Sequence, residues 1–191
     1  MPMKILIDPG HGGTDPGAVN DRVKLRESNV ALMYALILRP HLADAGHQVS
    51  LTREADQFLS LPARVAFAHD RRAHLFLSLH CNAAVNQAAS GIELWTSVGQ
   101  TASDEVATSL FGEIKATFPD RKMRADWDDG DPDKEANFYV LRHTRMPAVL
   151  LELEFLSNDA AAIWLRDYAT VNLYCAAIAR GVDAWEKSLR R

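Results

Sequence analysis

Four side chains in this sequence have the types and the placement to do chemistry together. His11 lies in Asp8-Pro9-Gly10-His11-Gly12-Gly13, directly after the apolar run Lys4 to Ile7. A short strand halted by Asp-Pro-Gly leaves the histidine on a loop, and the glycines around it let a ligand or metal ion come close to backbone and imidazole. His80 follows a second apolar run, Leu75 to Leu79, in Ser78-Leu79-His80-Cys81-Asn82. Glu152 stands inside Val149-Leu150-Leu151-Glu152-Leu153, where an ion is costly unless it is paired or bound to a metal. Glu27 opens a helical stretch just downstream of the His11 loop. If the runs are parallel strands, all four converge on one rim, the edge where open α/β sheets place their sites.

Two imidazoles and two carboxylates suit zinc. Three of them make a ligand set that leaves the fourth position to water, whose pKa zinc lowers to about 7 in favourable cases. The remaining carboxylate can take the proton from that water and pass it to a leaving nitrogen.

The elements that must position these residues follow from periodicity. Val30, Met33, Tyr34, Ile37, Leu38 and Leu42 recur at helical steps, which predicts a helix capped at Ser28, kinked or restarted at Pro40, and ended by Ala45-Gly46. Gln48 to Thr52 reads as a strand, and Ser60-Leu61-Pro62 starts a helix running to His69. Leu75 to Leu79 and Gly91 to Trp95 read as strands, and Ser103 to Phe118 as a helix. Residues 119–137 read as an exposed loop, rich in Asp, Gly and Pro. Phe138 to Leu141 is a short strand candidate and Ala148 to Leu153 a strong one. Asn158 caps a short helix, and Val171, Tyr174, Cys175, Ile178, Val182 and Trp185 mark a long C-terminal one. Strands alternating with helices predict an α/β layered domain, with a mostly parallel, mixed central sheet of about six strands flanked by helices. No repeat or linker divides residues 1–191, so a single domain without a separate binding module is expected.

Composition excludes several function classes. A chain of 191 residues with 48% hydrophobic and 24% charged residues is an ordinary globular composition. A net charge of −4 lacks the basic footprint of a nucleic-acid binder. No apolar run approaches the ~20 residues of a membrane span, and no secretory leader precedes the first strand. Two cysteines, Cys81 and Cys175, are too few for a disulfide scaffold.

With those residues in place, the chain resembles the zinc-dependent N-acetylmuramoyl-L-alanine amidases of the amidase 3 family. Ile7 to Gly13 with Asp15-Pro16-Gly17-Ala18 is similar to the family's opening. Glu27 matches its acidic ligand, Leu77 to Asn82 its Ser-x-His-x-Asn segment, and Pro147 to Asn158 its catalytic-glutamate segment. Gly91-Ile92-Glu93 and Tyr139-Val140-Leu141-Arg142 also fit, and the order holds from residue 4 to about 165. The resemblance implies His11, Glu27 and His80 as ligands of one Zn2+ per chain, and Glu152 as general base and acid. It implies hydrolysis of the amide between the lactyl group of N-acetylmuramic acid and L-alanine, in peptidoglycan or its muropeptide fragments. A monomer is expected, made in the cytoplasm and acting on the cell wall after release, as an endolysin would, or else the mature form of an exported enzyme.

The chain departs from the family at two places. Cys81 replaces a small residue and reads as core, because adjacent strand residues face opposite ways. Glu154 replaces a glycine. It would share the face of Glu152 if the strand continued, and raise the pKa of Glu152; a strand that bends first makes it a rim residue, the reading preferred here. Asn82, Arg142 and Glu154 are the candidate substrate-contacting or supporting residues. The other histidines have no ligand spacing. Trp95 is expected beside the sheet, with a groove platform as the alternative for it and for Trp127. Residues 119–137 have no apolar pattern for a helix plugging the site, which predicts an open, unregulated one. Rival readings are a zinc peptidase or deacylase, disfavoured because Thr14 stands where a His-x-x-Glu pair needs its glutamate, and an inactive wall-binding domain, disfavoured because all four residues are present.

Overall fold

A computed structural model describes residues 2–190. In chain order, strand β1 (Lys4–Pro9) leads through a two-residue ribbon, β2 (Val19–Asn20) and β3 (Leu25–Arg26), into helix α1 (Glu27–Asp44). Strand β4 (Gln48–Leu51), helix α2 (Leu61–Asp70), strand β5 (Leu75–Asn82) and strand β6 (Glu93–Thr96) follow. Helix α3 (Ala102–Thr117), strand β7 (Lys134–Glu135), helix α4 (Tyr139–His143), strand β8 (Ala148–Phe155) and helices α5 (Asp159–Arg166) and α6 (Tyr168–Ser188) complete the chain.

The six-stranded sheet runs β4-β1-β5-β8-β6-β7. Every pairing is parallel except β6 with β8, which is antiparallel. This is the expected mixed sheet, with one strand exchanged. Phe138 to Leu141 does not join it: Tyr139–His143 form α4, whose face Val140 and Leu141 packs with Leu150 and Phe76. The sixth strand comes instead from the Asp-rich segment, where Lys134 and Glu135 pair with Trp95 and Thr96.

Alternation along the strands divides the molecule into two layers. Ile5, Ile7, Leu75, Leu77, Leu79, Cys81, Val149, Leu151 and Leu153 face the larger core, built with α1, α3 and α6. Leu6, Phe76, Ala148 and Leu150 face a smaller one, under α2 and α4. Cys81 is core, as expected, at 3% exposure.

Two helix details differ from expectation. The N-cap of α1 is Arg26, without a side-chain cap bond, and Ser28 is buried inside the helix. The orphan N–H groups go to the loop before it: Glu27 N donates to Ala18 O and Ser28 N to Pro16 O. Pro40 neither ends nor restarts the helix, which continues to Asp44. Ser60 does cap α2 and Asn158 does cap α5, each through its side-chain oxygen.

Candidate metal centre and catalytic carboxylate

The site grows from the carboxyl ends of β1, β5 and β8. His80 pairs in register with Glu152, and Glu152 with Glu93 on the other side. Paired residues share a face, so His80, Glu152 and Glu93 form one cross-strand row on the α2/α4 side. Gly10 abuts that row from β1; a Cβ there would lie 2.2 Å from the His80 ring. Only a glycine leaves room for the imidazole.

His11 occupies the left-handed region, with φ of 57°, a conformation that costs free energy and is kept where surrounding structure enforces it. Here Gly12 and Asp15 exchange backbone hydrogen bonds, and Arg64 Nη2 donates to the His11 carbonyl at 2.7 Å. The His11 ring is held through Nδ1, 2.8 Å from Asp15 Oδ2. That contact orients the other nitrogen, Nε2, toward Glu27 Oε1 at 3.0 Å. The same Glu27 oxygen lies 2.9 Å from His80 Nδ1 and accepts from Cys81 N at 3.0 Å, while its partner oxygen accepts from Ala18 N. Gly17, with φ of 64°, passes so close that a Cβ would meet Glu27 Oε2 at 2.5 Å.

One ligand atom each from His11, Glu27 and His80 lie within 4.8 Å of one another. Tetrahedral zinc bonds of about 2.0–2.1 Å separate neighbouring ligand atoms by roughly 3.3 Å, close to the two histidine–glutamate separations. The donor set therefore fits a divalent ion, and the Asp15 contact is the carboxylate–histidine support such sites use. Electrostatics agree. Burial alone would lower the pKa of His11, but hydrogen bonding and charge from Glu27, then Asp15, outweigh it and raise it to about 9. Burial would raise Glu27, yet bonds from the two histidines hold it well below the usual carboxylate range. The three ligands attract positive charge between them.

Glu152 is the opposite case. Burial pushes its carboxyl up to about 7, His80 opposes this, and the charges of Glu27 and Glu93 add to it. Its Oε2 is buried without a hydrogen-bond partner among the described residues. A carboxyl poised near neutrality, facing a cavity, has the character of a general base and acid. That cavity, of about 300 Å³, is shared by His11, His80 and Glu152, with Phe58, Leu59, Leu61, Phe138, Val140 and Leu150 as apolar wall. The His11 and His80 side chains are 25% and 19% exposed, so the site reaches solvent. Residues 119–137 do not plug it; Met123 bridges to Ile92 and Lys134–Glu135 extend the sheet.

The remaining candidates fare differently. Glu154 is not a rim residue: it is 1% exposed and accepts from Gly91 N and Phe155 N. A register shift lets 152 to 155 of β8 span 80 to 82 of β5. Such a bulge reverses the alternation, so Glu154 acts on Cys81 and Tyr174, in the larger core. Arg142 is exposed on α4 and does not line the cavity, because a helix replaced the strand that would have aimed it inward. Asn82 Nδ2 donates to Glu93 Oε2 at 3.0 Å, at the end of the cross-strand row that holds Glu152. Trp95 packs beside the sheet against Phe138, whereas Trp127 is exposed against Phe111.

Sequence reasoning missed a buried frame beneath the site. Asp8 accepts from Thr52 Oγ1, Ser78 Oγ and Arg64 Nη1. Arg53, 1% exposed, donates to the carbonyls of Pro9, Gly10 and Ser28. The available signal was Asp8 itself, a carboxylate closing an apolar strand, together with arginines in otherwise apolar surroundings.

The fold and site define a layered α/β domain with a His/Glu/His group that could hold a metal ion, and comparison gives its family. The model of the N-acetylmuramoyl-L-alanine amidase family (amidase 3) matches residues 5–184, and the chain belongs to that family. It is 34% identical over 186 residues to the sporulation-specific N-acetylmuramoyl-L-alanine amidase of Bacillus subtilis, spanning 95% of this chain and 67% of that protein. It is 31% identical over 218 residues to the amidase AmiC of Neisseria meningitidis, spanning 95% of this chain but 52% of that protein. The solved catalytic domain of CwlV, an amidase from Bacillus (Paenibacillus) polymyxa, superposes with a TM-score of 0.87 at 32% identity, covering 97% of this chain and 98% of that one.

Proposed function

We propose that this chain is a zinc-dependent N-acetylmuramoyl-L-alanine amidase whose residues 1–191 act as one catalytic domain on peptidoglycan or its muropeptides. The observation that carries the reading is the meeting of two opposite environments in one cavity: the His11–Glu27–His80 cluster, and a buried, unpartnered Glu152 in register with His80. Family membership supplies the bond that is cut. A bound zinc ion would supply Lewis acidity toward the lactyl carbonyl and lower the pKa of water.

The chain's own residues do the rest. His11, Glu27 and His80 would hold the ion, with Asp15 fixing the His11 ring. Glu152 takes a proton from the attacking water as the new C–O bond forms. It then returns that proton to the alanine nitrogen as the C–N bond breaks; the second water proton passes from the new carboxyl to the amine, so the products leave as a lactyl carboxylate and an ammonium. Phe58, Leu59, Leu61, Phe138 and Leu150 keep bulk water from the carboxyl. The place of action is then the cell wall, and a lytic enzyme and a remodelling one would use the same chemistry.

The test is digestion of purified peptidoglycan by wild type and Glu152→Ala, each with and without chelator, read by mass spectrometry. Stem peptides with a free amino-terminal L-alanine, lost in the variant and with chelator, are expected. Cuts within the peptide would make the chain a peptidase instead.

A further inference from the structure

The cross-strand row does not stop at Glu152. One strand further on, Glu93 is buried to 3% side-chain exposure and its carboxylate is fully engaged. Oε2 accepts from Asn82 Nδ2 and Trp95 Nε1, and Oε1 from Arg124 Nε at 2.5 Å and Lys134 Nζ at 3.0 Å. Two cations, Arg124 and Lys134, share this one carboxylate oxygen.

Both cations are held in place and turned outward. The Arg124 guanidinium stacks over Phe155 with Cζ at 5.2 Å from the ring centre, and Lys134 Nζ stands 5.2 Å over the Trp95 ring. Arg124 uses only Nε on Glu93; among the described residues no hydrogen bond occupies its two terminal amino groups. The Arg124 side chain is 34% exposed and that of Lys134 22%. Trp95 stacks against Phe138, which is also a wall of the catalytic cavity. The cationic pair therefore borders the far side of the cavity wall, one strand spacing beyond Glu152.

We propose that Arg124 and Lys134, anchored on Glu93, bind a carboxylate on the departing peptide, and that the enzyme thereby discriminates a free carboxylate from its amide next to the scissile L-alanine. The inference rests on the amidase reading above. Adjacent strands are about 4.8 Å apart, and an extended peptide advances about 3.4 Å per residue. With the scissile nitrogen at Glu152, a charge on the residue after L-alanine falls within reach of Arg124. A guanidinium offering two free amino groups matches a carboxylate in geometry as well as charge. An amide in its place offers one acceptor oxygen where the carboxylate offers two, and brings no negative charge to the cations.

The experiment compares kcat/KM for N-acetylmuramoyl-L-alanyl-D-glutamate and the analogue whose α-carboxylate is an amide. Wild type is expected to favour the acid by about tenfold or more, as loss of a charge-assisted pair implies. Arg124→Gln and Lys134→Gln, made singly so that Glu93 keeps one cation, are each expected to bring the ratio toward one through KM for the acid. A wild type indifferent to the amide overturns the proposal, as do variants that slow both substrates alike with the ratio intact, since that is what loss of a structural counter-ion would do. Cleavage of neither substrate by the wild type fails the amidase reading itself and this one with it.

Discussion

Replacing Glu152 with Gln should stabilise the metal-free protein at high pH and not at low pH. Burial raises the Glu152 carboxyl from 4.5 to about 7, so the folded state holds its proton more tightly than the unfolded state does. The contribution is fully present below about pH 4.5, where both states are protonated. It is lost as pH rises through about 7, where the folded carboxyl must also ionise. Converted, the raised pKa is a penalty of about 3 kcal/mol at pH 8 that is absent below pH 4.5. Glutamine brings its own cost, because its amide meets the same lack of hydrogen-bond partners that leaves Oε2 alone, but that cost does not depend on pH. The quantity to measure is therefore the pH dependence of the difference between variant and wild type. About 0.8 kcal/mol of that penalty is already present at pH 5, so thermal unfolding in chelator at pH 5 and pH 8 should show the variant gaining on wild type by about 5–10 °C between the two, at roughly 2–4 °C per kcal/mol for a domain of this size. Parallel pH profiles for the two proteins would refute a desolvated, proton-hungry Glu152 and with it the physical basis for its role as base.

Two further outcomes follow from the frame around the site. Asp15→Asn removes the charge that orients His11 through Nδ1, and zinc affinity measured by competition with a chromophoric chelator should fall about 10–100-fold; unchanged affinity would make Asp15 a surface group. Arg64→Met leaves Asp8 buried at 1% exposure without its cation, and should cost about 3–5 kcal/mol in urea unfolding. A loss under about 1 kcal/mol would mean the Thr52 and Ser78 hydroxyls suffice.

Much of this architecture could be read from residues 4 to 9, 75 to 82 and 148 to 155, because long apolar runs bounded by turn residues leave little choice of structure. The four chemical residues were legible for the same reason: a histidine or glutamate at the end of, or within, such a run stands out against its neighbours. What was not legible depended on contacts between distant segments. Tyr139–His143 has the β-branched and aromatic composition of a strand, but packing against α2 and Leu150 made it helical. Glu154 needed knowledge of a bulge, which belongs to the pairing of β8 with β5 and not to either strand alone. Lys134 and Glu135, in a segment read as a loop from its Asp, Gly and Pro content, became a strand because β6 offered an unpaired edge. Ser28 had the side chain of a cap, but Glu27 was drawn inward by His11 and His80, and the helix began two residues earlier, capped at Arg26.

The central claim is that His11, Glu27 and His80 hold one zinc ion beside Glu152. Diffraction from zinc-loaded crystals, collected on either side of the zinc absorption edge, tests it most directly. A single strong anomalous peak is expected within bonding distance of those three side chains and facing the Glu152 carboxyl. A peak elsewhere, or none at this cluster in crystals of protein that is active only with zinc, would contradict it.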